Sequence, residues 1–323
     1  MERSALKTLF YPFETGLLET TGRNWLFLNA ERPYNAPLHK DAVCCVQSFR
    51  PLFLDLDKNG WQVAPQCETE GFGGALVLLD RAKSRNHDLI ADAFRRVTVG
   101  APVLIAGEKD YGISSIKKWL RDYVGSIEVV SKYHAQVLII QASAAAKDAF
   151  EKHAPSETAG LFFDGEGDLG SQLLASTFDT TITGDVADFC SGAGHLSQRL
   201  IDSASAHTLH LFEAELRALN LAEKRLSGTH DQITFHWTDL VREAVSERFD
   251  WIIMNPPFHQ SRAAEPSLGQ DLIRKARLSL RPGGHLRVVA NRSLPYENTM
   301  KELFGNMTEL RNESGFKVLQ SRA

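Results

Sequence analysis

Two stretches of the chain repeat one pattern at a separation of 177 to 183 residues. The first series is an apolar run from Gly74 to Leu79, a helical stretch, a second run from Gly100 to Ala106 and a third from Val137 to Ile140. The second series is Trp251 to Met254, a helical stretch, Pro282 to Ala290, and Val318 with Leu319. A repeat this long is not a solenoid period; it implies two copies of one domain. Within each copy a further helical stretch separates the second run from the third, so short apolar runs alternate with helical periodicity throughout. That is the pattern of α/β units around a mostly parallel sheet with helices on both faces. A length of 323 residues accommodates two such domains. Composition shifts to small and polar residues over 141–160, which places one domain at 1–150 and the other at 160–323.

The copies differ in their turns. In the first, the strand Trp25 to Asn29 runs into Ala30-Glu31-Arg32-Pro33 with no glycine-rich turn to approach a cofactor, and Leu79 runs into Asp80-Arg81-Ala82-Lys83 with no Asn-Pro-Pro. In the second, the strand Asp185 to Phe189 enters Cys190-Ser191-Gly192-Ala193-Gly194, followed by a helix through Leu200. Glycines there let backbone approach a ligand, and the helix N-terminus supplies N–H groups. The next strand, from His210, ends in Glu213, 19 residues beyond Gly194. An acid so placed can accept both hydroxyls of a ribose. The strand from Ile233 ends near Asp239, which can meet an adenine amino group. A dinucleotide fold competes with this reading. It wants Gly or Ala at the third fingerprint position, where Ser197 stands.

The strand Phe249 to Met254 stops at Asn255-Pro256-Pro257-Phe258. Two prolines can continue neither a ladder nor a helix, so one amide, a rigid turn and a ring are presented at the carboxyl edge of the sheet. That edge is where open α/β sheets bind ligands. The Asn255 oxygen and a nearby carbonyl suit the two N–H bonds of a planar amine, with Phe258 stacked on its ring. A nicotinamide fold has no use for this motif. Arg292 and Lys317, near strand ends on the same edge, are candidate phosphate contacts.

Composition restricts the partners. The net charge is −4, with +1 over the first 153 residues and −5 over the rest. A nucleic acid therefore has to be met by a local basic patch. There is no run of eighteen apolar residues to span a membrane, and the first residues show no secretory h-region. Four cysteines without CxxC spacing argue against zinc and against a disulfide framework, and fit a reducing cytoplasm.

Residues 160–320 resemble class I S-adenosylmethionine-dependent methyltransferases of the subset that methylates planar exocyclic amines. The stretches Asp168 to Leu174, Asn255 to His259, Val289 to Tyr296 and Gly315 to Val318 resemble, more closely, the bacterial ribosomal RNA guanine-N2 methyltransferases. Small-subunit (16S) members of that group join an inactive N-terminal copy to an active C-terminal one. The resemblance implies two tandem Rossmann-like class I methyltransferase domains, the first degenerate, with ribosomal RNA or the small ribosomal subunit as partner. It also implies that Gly192 and Gly194 line the methionine and ribose of S-adenosylmethionine above Asp188, while Glu213 holds the ribose hydroxyls and Asp239 the adenine. Gly170 and Gln172 help close the methionine end, and Asn255, Pro256, Pro257 and Phe258 hold the guanine. Glu213 stands where such enzymes often carry Asp, and Ser191 where they often carry Gly or Cys. His259 is read as a loop residue shaping the pocket, not as a base. Two rivals share these features: a protein glutamine methyltransferase, which usually has Tyr after Asn-Pro-Pro, and an RNA-binding assembly factor without turnover.

Overall fold

The computed structural model describes residues 2–161, 169–257 and 266–323. The chain divides into two compact units, Met1–Leu161 and Phe162–Ala323. The first contains α1 (Ser4–Glu14), β1 (Trp25–Leu28), β2 (Val43–Val46), α2 (Arg50–Lys58), β3 (Gln62–Ala64), β4 (Gly74–Leu78) and α3 (Lys83–Arg96). It continues with β5 (Pro102–Glu108), α4 (Ile113–Leu120), β6 (Glu128–Lys132), β7 (Ala135–Gln141) and α5 (Ala144–Glu151). The helix α5 lies in the stretch whose composition marked the domain boundary. It is capped by the Ser143 hydroxyl, which accepts the Ala146 N–H at 3.1 Å, and it packs on α3.

The second unit contains α6 (Leu169–Ala175), β8 (Thr183–Phe189), α7 (His195–Ser203), β9 (Ser205–Glu213), α8 (Leu216–Leu226) and β10 (Ile233–Trp237). It ends with β11 (Phe249–Met254), α9 (Pro266–Ser279), β12 (Leu280–Asn291), α10 (Tyr296–Phe304), β13 (Thr308–Glu313) and β14 (Phe316–Arg322).

Each unit is built on a seven-stranded sheet, ordered β3-β2-β1-β4-β5-β7-β6 in one and β10-β9-β8-β11-β12-β14-β13 in the other. The two orders are the same, strand for strand. In both, the first five strands run parallel, and the last pair is antiparallel to its neighbours or to itself. Alternate residues feed cores on opposite faces: Ala75 and Val77 of β4 on one side, Leu76 and Leu78 on the other. In β11, Ile252 and Met254 face one core while Trp251 and Ile253 face the second. Both faces are thus covered, as a parallel sheet requires.

The duplication extends to backbone detail. The residue after the first strand of each sheet, Asn29 and Cys190, is left-handed without being glycine, with φ of 53° and 63°. The divergence follows at once. In the second unit the chain turns through two glycines into α7. In the first it crosses to β2 through residues 29–42, whose only regular turn is a short 3₁₀ segment, Lys40–Ala42. The helix that would present N–H groups to a cofactor is missing there.

The carboxyl edge of the first sheet is filled by the protein itself. Arg3, just ahead of α1, donates to Glu31 (2.5 Å), to the Leu79 carbonyl (3.1 Å) and to Glu108 (2.9 Å), and lies 4.3 Å over the Tyr111 ring. These groups follow or end β1, β4 and β5. Glu108 also accepts the Ala5 N–H at 2.9 Å. Burial pushes the Glu31 carboxyl above its usual range, and the Arg3 charge opposes that rise. Arg3→Ala removes the countercharge from two part-buried carboxylates, and should lower the unfolding free energy by about 2 kcal/mol in urea titration.

Candidate active site

Strand register aligns the ends of four neighbouring strands in the second sheet. Trp237 pairs with Glu213, Phe212 with Phe189, and Phe189 with Met254. The residues at or just past that row are Glu213, Cys190 and Asn255, with Asp239 two residues beyond the end of β10. The sheet therefore brings together three of the positions read from the sequence, Glu213, Asn255 and Asp239, with the start of the glycine turn.

The glycine turn has two different glycines. Gly192 has φ of 55°, and a Cβ built on it meets open space. Gly194, with φ of 78°, starts α7 and packs against α8, where a Cβ would come within 3.0 Å of the Ala222 side chain. The first leaves room for a ligand; the second lets the helix approach its neighbour. The Gly192 N–H donates to Glu213 at 2.8 Å.

Glu213 is held by three backbone donors: Gly192 on one oxygen, and Ala214 and Glu215 at 2.8 and 2.9 Å on the other. Burial raises its pKa, and those three N–H bonds oppose the rise. The carboxylate is thus fixed in orientation, and its Gly192-bonded oxygen keeps acceptor capacity.

Asp188 is fully buried and accepts the Ser197 hydroxyl at 2.7 Å on Oδ2. Its Oδ1 and the buried Ser191 Oγ have no hydrogen-bond partner among the described residues. Burial, reinforced by the Glu213 charge and opposed by Ser197, pushes the Asp188 carboxyl up to about 7. Orphaned buried polar atoms beside an open glycine are what a bound polar ligand would satisfy. Ser197, whose presence spoils the dinucleotide fingerprint, has a positive role as the partner of this carboxyl.

Asp239 is buried and partly committed. Its Oδ1 accepts the Val241 and Arg242 N–H groups at 3.0 and 3.3 Å, and its Oδ2 lies 3.5 Å from the Arg242 guanidinium. Asp239 therefore caps a turn as well as standing beside the site.

Asn255 is positioned by a residue that the sequence reading passed over. Its Nδ2 donates to the Ser171 hydroxyl at 2.8 Å, across 84 residues of chain. Ser171 sits in the first turn of α6, between the buried Gly170 and the exposed Gln172. The helix is anchored from behind by Arg287 of β12. Its guanidinium donates to the Thr177 carbonyl, and to Gln320 at 2.9 Å, while lying 5.0 Å over the Trp251 ring. Burial lowers the Arg287 pKa. The sequence signal for Ser171 was its place in the stretch Asp168 to Leu174; only the fold shows which strand end it faces. Pro256 is buried and Pro257 exposed. Phe258 and His259 lie outside the described residues.

The two basic candidates part company. Arg292 is exposed, with its backbone N–H bonded to the Gly315 carbonyl at 2.8 Å. Lys317 is not the phosphate contact expected of it. It is 3% exposed, and its ammonium donates to the Arg292 carbonyl (3.1 Å), the Leu294 carbonyl (2.7 Å) and Glu297 (2.5 Å). An ammonium has three protons, and all are used. Lys317 ties the end of β12 to the start of α10.

The sheet order, the glycine turn and the acids at successive strand ends define a class I, Rossmann-like methyltransferase. Residues 155–320 match the family model of the methyltransferase small domain. The ribosomal RNA small subunit methyltransferase C of Photorhabdus laumondii is 28% identical over 285 residues, 84% of each chain. The protein of that name from Haemophilus influenzae is 30% identical over 242 residues, 69% of this chain and 71% of its own. The Sodalis glossinidius protein of that name is 35% identical over 234 residues, 69% of this chain and 66% of its own. Among solved structures, the T. thermophilus 16S rRNA N2 methyltransferase RsmC, in complex with AdoMet and guanosine, shares the fold with a TM-score of 0.84. That likeness covers 99% of this chain and 92% of the other at 21% identity. The chain belongs to the ribosomal RNA small subunit methyltransferase C family.

Lys317→Ala should cost about 3 kcal/mol of stability, since it strands Glu297 and two carbonyls. The salt slope of RNA binding should stay at the wild-type value, measured by titration at several ionic strengths.

Proposed function

We propose that this chain transfers a methyl group from S-adenosylmethionine to the exocyclic N2 amine of a guanine in small-subunit ribosomal RNA, in the cytoplasm. The observation that carries this reading is Asn255 at the end of β11, its amide oriented by Ser171 and backed by two prolines, beside the row formed by Glu213 and the glycine turn. The names of its relatives support the RNA substrate and the small subunit.

The residues fit the cofactor. Asp188 Oδ1 and Ser191 Oγ would receive the methionine amine, with Gly170 and Gln172 closing that end. Gly192 and Gly194 would let the backbone approach the methionine and ribose. Glu213 would accept the ribose hydroxyls, and Asp239 Oδ2 the adenine amine. When bound, S-adenosylmethionine supplies an electrophilic methyl on a sulfonium. Cofactor binding is assigned to the second unit alone, because Arg3 fills the equivalent edge of the first.

An exocyclic amine is a poor nucleophile because its lone pair is delocalised into the ring. The Asn255 oxygen and the Pro256 carbonyl would each accept one N–H, localising the lone pair on the side facing the methyl donor. Phe258 would stack on the base, which has to leave any helical stack to arrive there. Orientation contributes much of the rate. No strong base is required, because the nitrogen proton turns acidic on alkylation and leaves through those acceptors to water. Arg292 would meet a phosphate of the bound RNA.

Radiolabelled cofactor incubated with rRNA, assembled small subunits and total protein should label guanine N2. Label in protein alone, or nowhere, overturns the assignment. Asn255→Ala should retain less than about a tenth of wild-type kcat, a loss above about 1.4 kcal/mol, with cofactor affinity unchanged. Ser171→Ala should lower kcat by about tenfold, the value of one orienting hydrogen bond, again without changing cofactor affinity.

The Asp188 carboxyl gives a pH signature. Below about 7 it is neutral and must ionise to meet the cofactor ammonium; above that it is already charged. Cofactor affinity should rise about tenfold from pH 6 to pH 8 and then level, at 1.36 kcal/mol per pH unit of unfavourable ionisation. Asp188→Asn should bind weakly with no such slope, as calorimetric titration across that range would report.

A further inference from the structure

The hairpin that closes the first unit has a turn built from the wrong residues for its geometry. Lys132 of β6 pairs with Ala135 of β7, leaving a two-residue turn, Tyr133 and His134. Both are left-handed, with φ of 50° and 63°. A two-residue turn with two positive φ values is type I′, for which Asn-Gly is the natural choice. A bulky aromatic residue there is a backbone outlier, and outliers of this kind persist where the side chains serve a purpose.

The geometry points to this hairpin as a docking site for a single-stranded segment of the RNA substrate. Tyr133 is 42% exposed, and its ring is braced by the edge of Tyr11, with centroids 6.1 Å apart at 85°. The Lys132 ammonium lies 5.3 Å from the Tyr11 ring centre and 5.5 Å from that of Tyr133. Beside the turn is a cavity of about 380 Å³ bordered by Lys109, Ser114, Lys132, Tyr133, His134 and Gln136; none of its lining side chains is a carboxylate. The N-terminal turn of α4 borders it too, adding the positive end of a helix dipole. A rigid exposed ring for a base, with two ammonium groups for the flanking phosphates, is the combination that binds unpaired nucleic acid without reading its sequence. The overall charge of the chain offers no general attraction for RNA, so such a patch has to be local.

This site rests on the reading of RNA as substrate, and it is tested by binding, separately from methyl transfer. The double variant Tyr133→Asn with His134→Gly installs the residues that the turn prefers. In the full chain it should raise Tm by about 2–4 °C, while affinity for a labelled single-stranded RNA oligonucleotide falls by about fivefold or more. With rRNA as substrate, KM should rise and kcat stay unchanged, as should cofactor affinity. Lys132→Gln should reduce the salt slope of RNA binding by about one charge, and Tyr133→Phe should bind as wild type. Wild-type RNA affinity in the double variant overturns the proposal. A fall in its Tm also overturns it, because the pair would then be a packing device against Tyr11. Wild-type protein that binds RNA through this patch and methylates none would instead overturn the substrate reading and leave the docking site standing.

Discussion

Parallel strands that all end on one edge of a sheet leave their last polar groups pointing the same way, and something has to satisfy them. That demand organises both halves of this chain. In the first unit a single guanidinium, Arg3, answers it by bonding to groups at the ends of β1, β4 and β5. In the second, the comparable edge presents Glu213, Asp188, Ser191 and Asn255, of which Asp188 and Ser191 keep buried oxygen atoms without a partner among the described residues. The same architecture is self-satisfied in one copy and arranged for a guest in the other.

The helix that opens each unit makes the difference. Both α1 and α6 pack on the antiparallel side of their sheets, against β5 and β7 or against β12 and β14. Arg3 stands at the start of one and Ser171 in the first turn of the other. The Ser171 hydroxyl turns the Asn255 amide, and Arg287 holds α6 in place through Thr177. The amide at the end of β11 is thus oriented by a chain of bonds that begins on a different strand.

Much of this was legible in advance because it is local. The glycine turn, the acids at strand ends and the proline-stopped strand announce themselves within a few residues, and the repeat at 177 to 183 residues gives the two-unit plan. What escaped depends on contacts between distant segments. Arg3 meets Glu108 across 105 residues, and Ser171 meets Asn255 across 84. Lys317 was misread for a related reason. The strand β13, Thr-Glu-Leu-Arg-Asn-Glu, is so polar that it does not read as a strand, yet it pairs along β14 and makes that strand an interior one. With β13 unseen, Lys317 looks like surface. The helix α8 and the strand β6 were likewise not singled out.

The Arg3 cluster has a consequence for how the two halves live with the cofactor pool. A fold that carries its own counter-ion gains nothing from a small molecule that comes and goes, so the first unit holds its shape whatever the supply. A fold with orphaned buried atoms is completed by its ligand, and its resistance to unfolding rises with ligand concentration by mass action. With the cofactor assigned to the second unit as proposed above, one chain would join a half indifferent to the methylation state of the cell to a half whose persistence follows it. In a lean cell, proteolysis would then begin in the second unit.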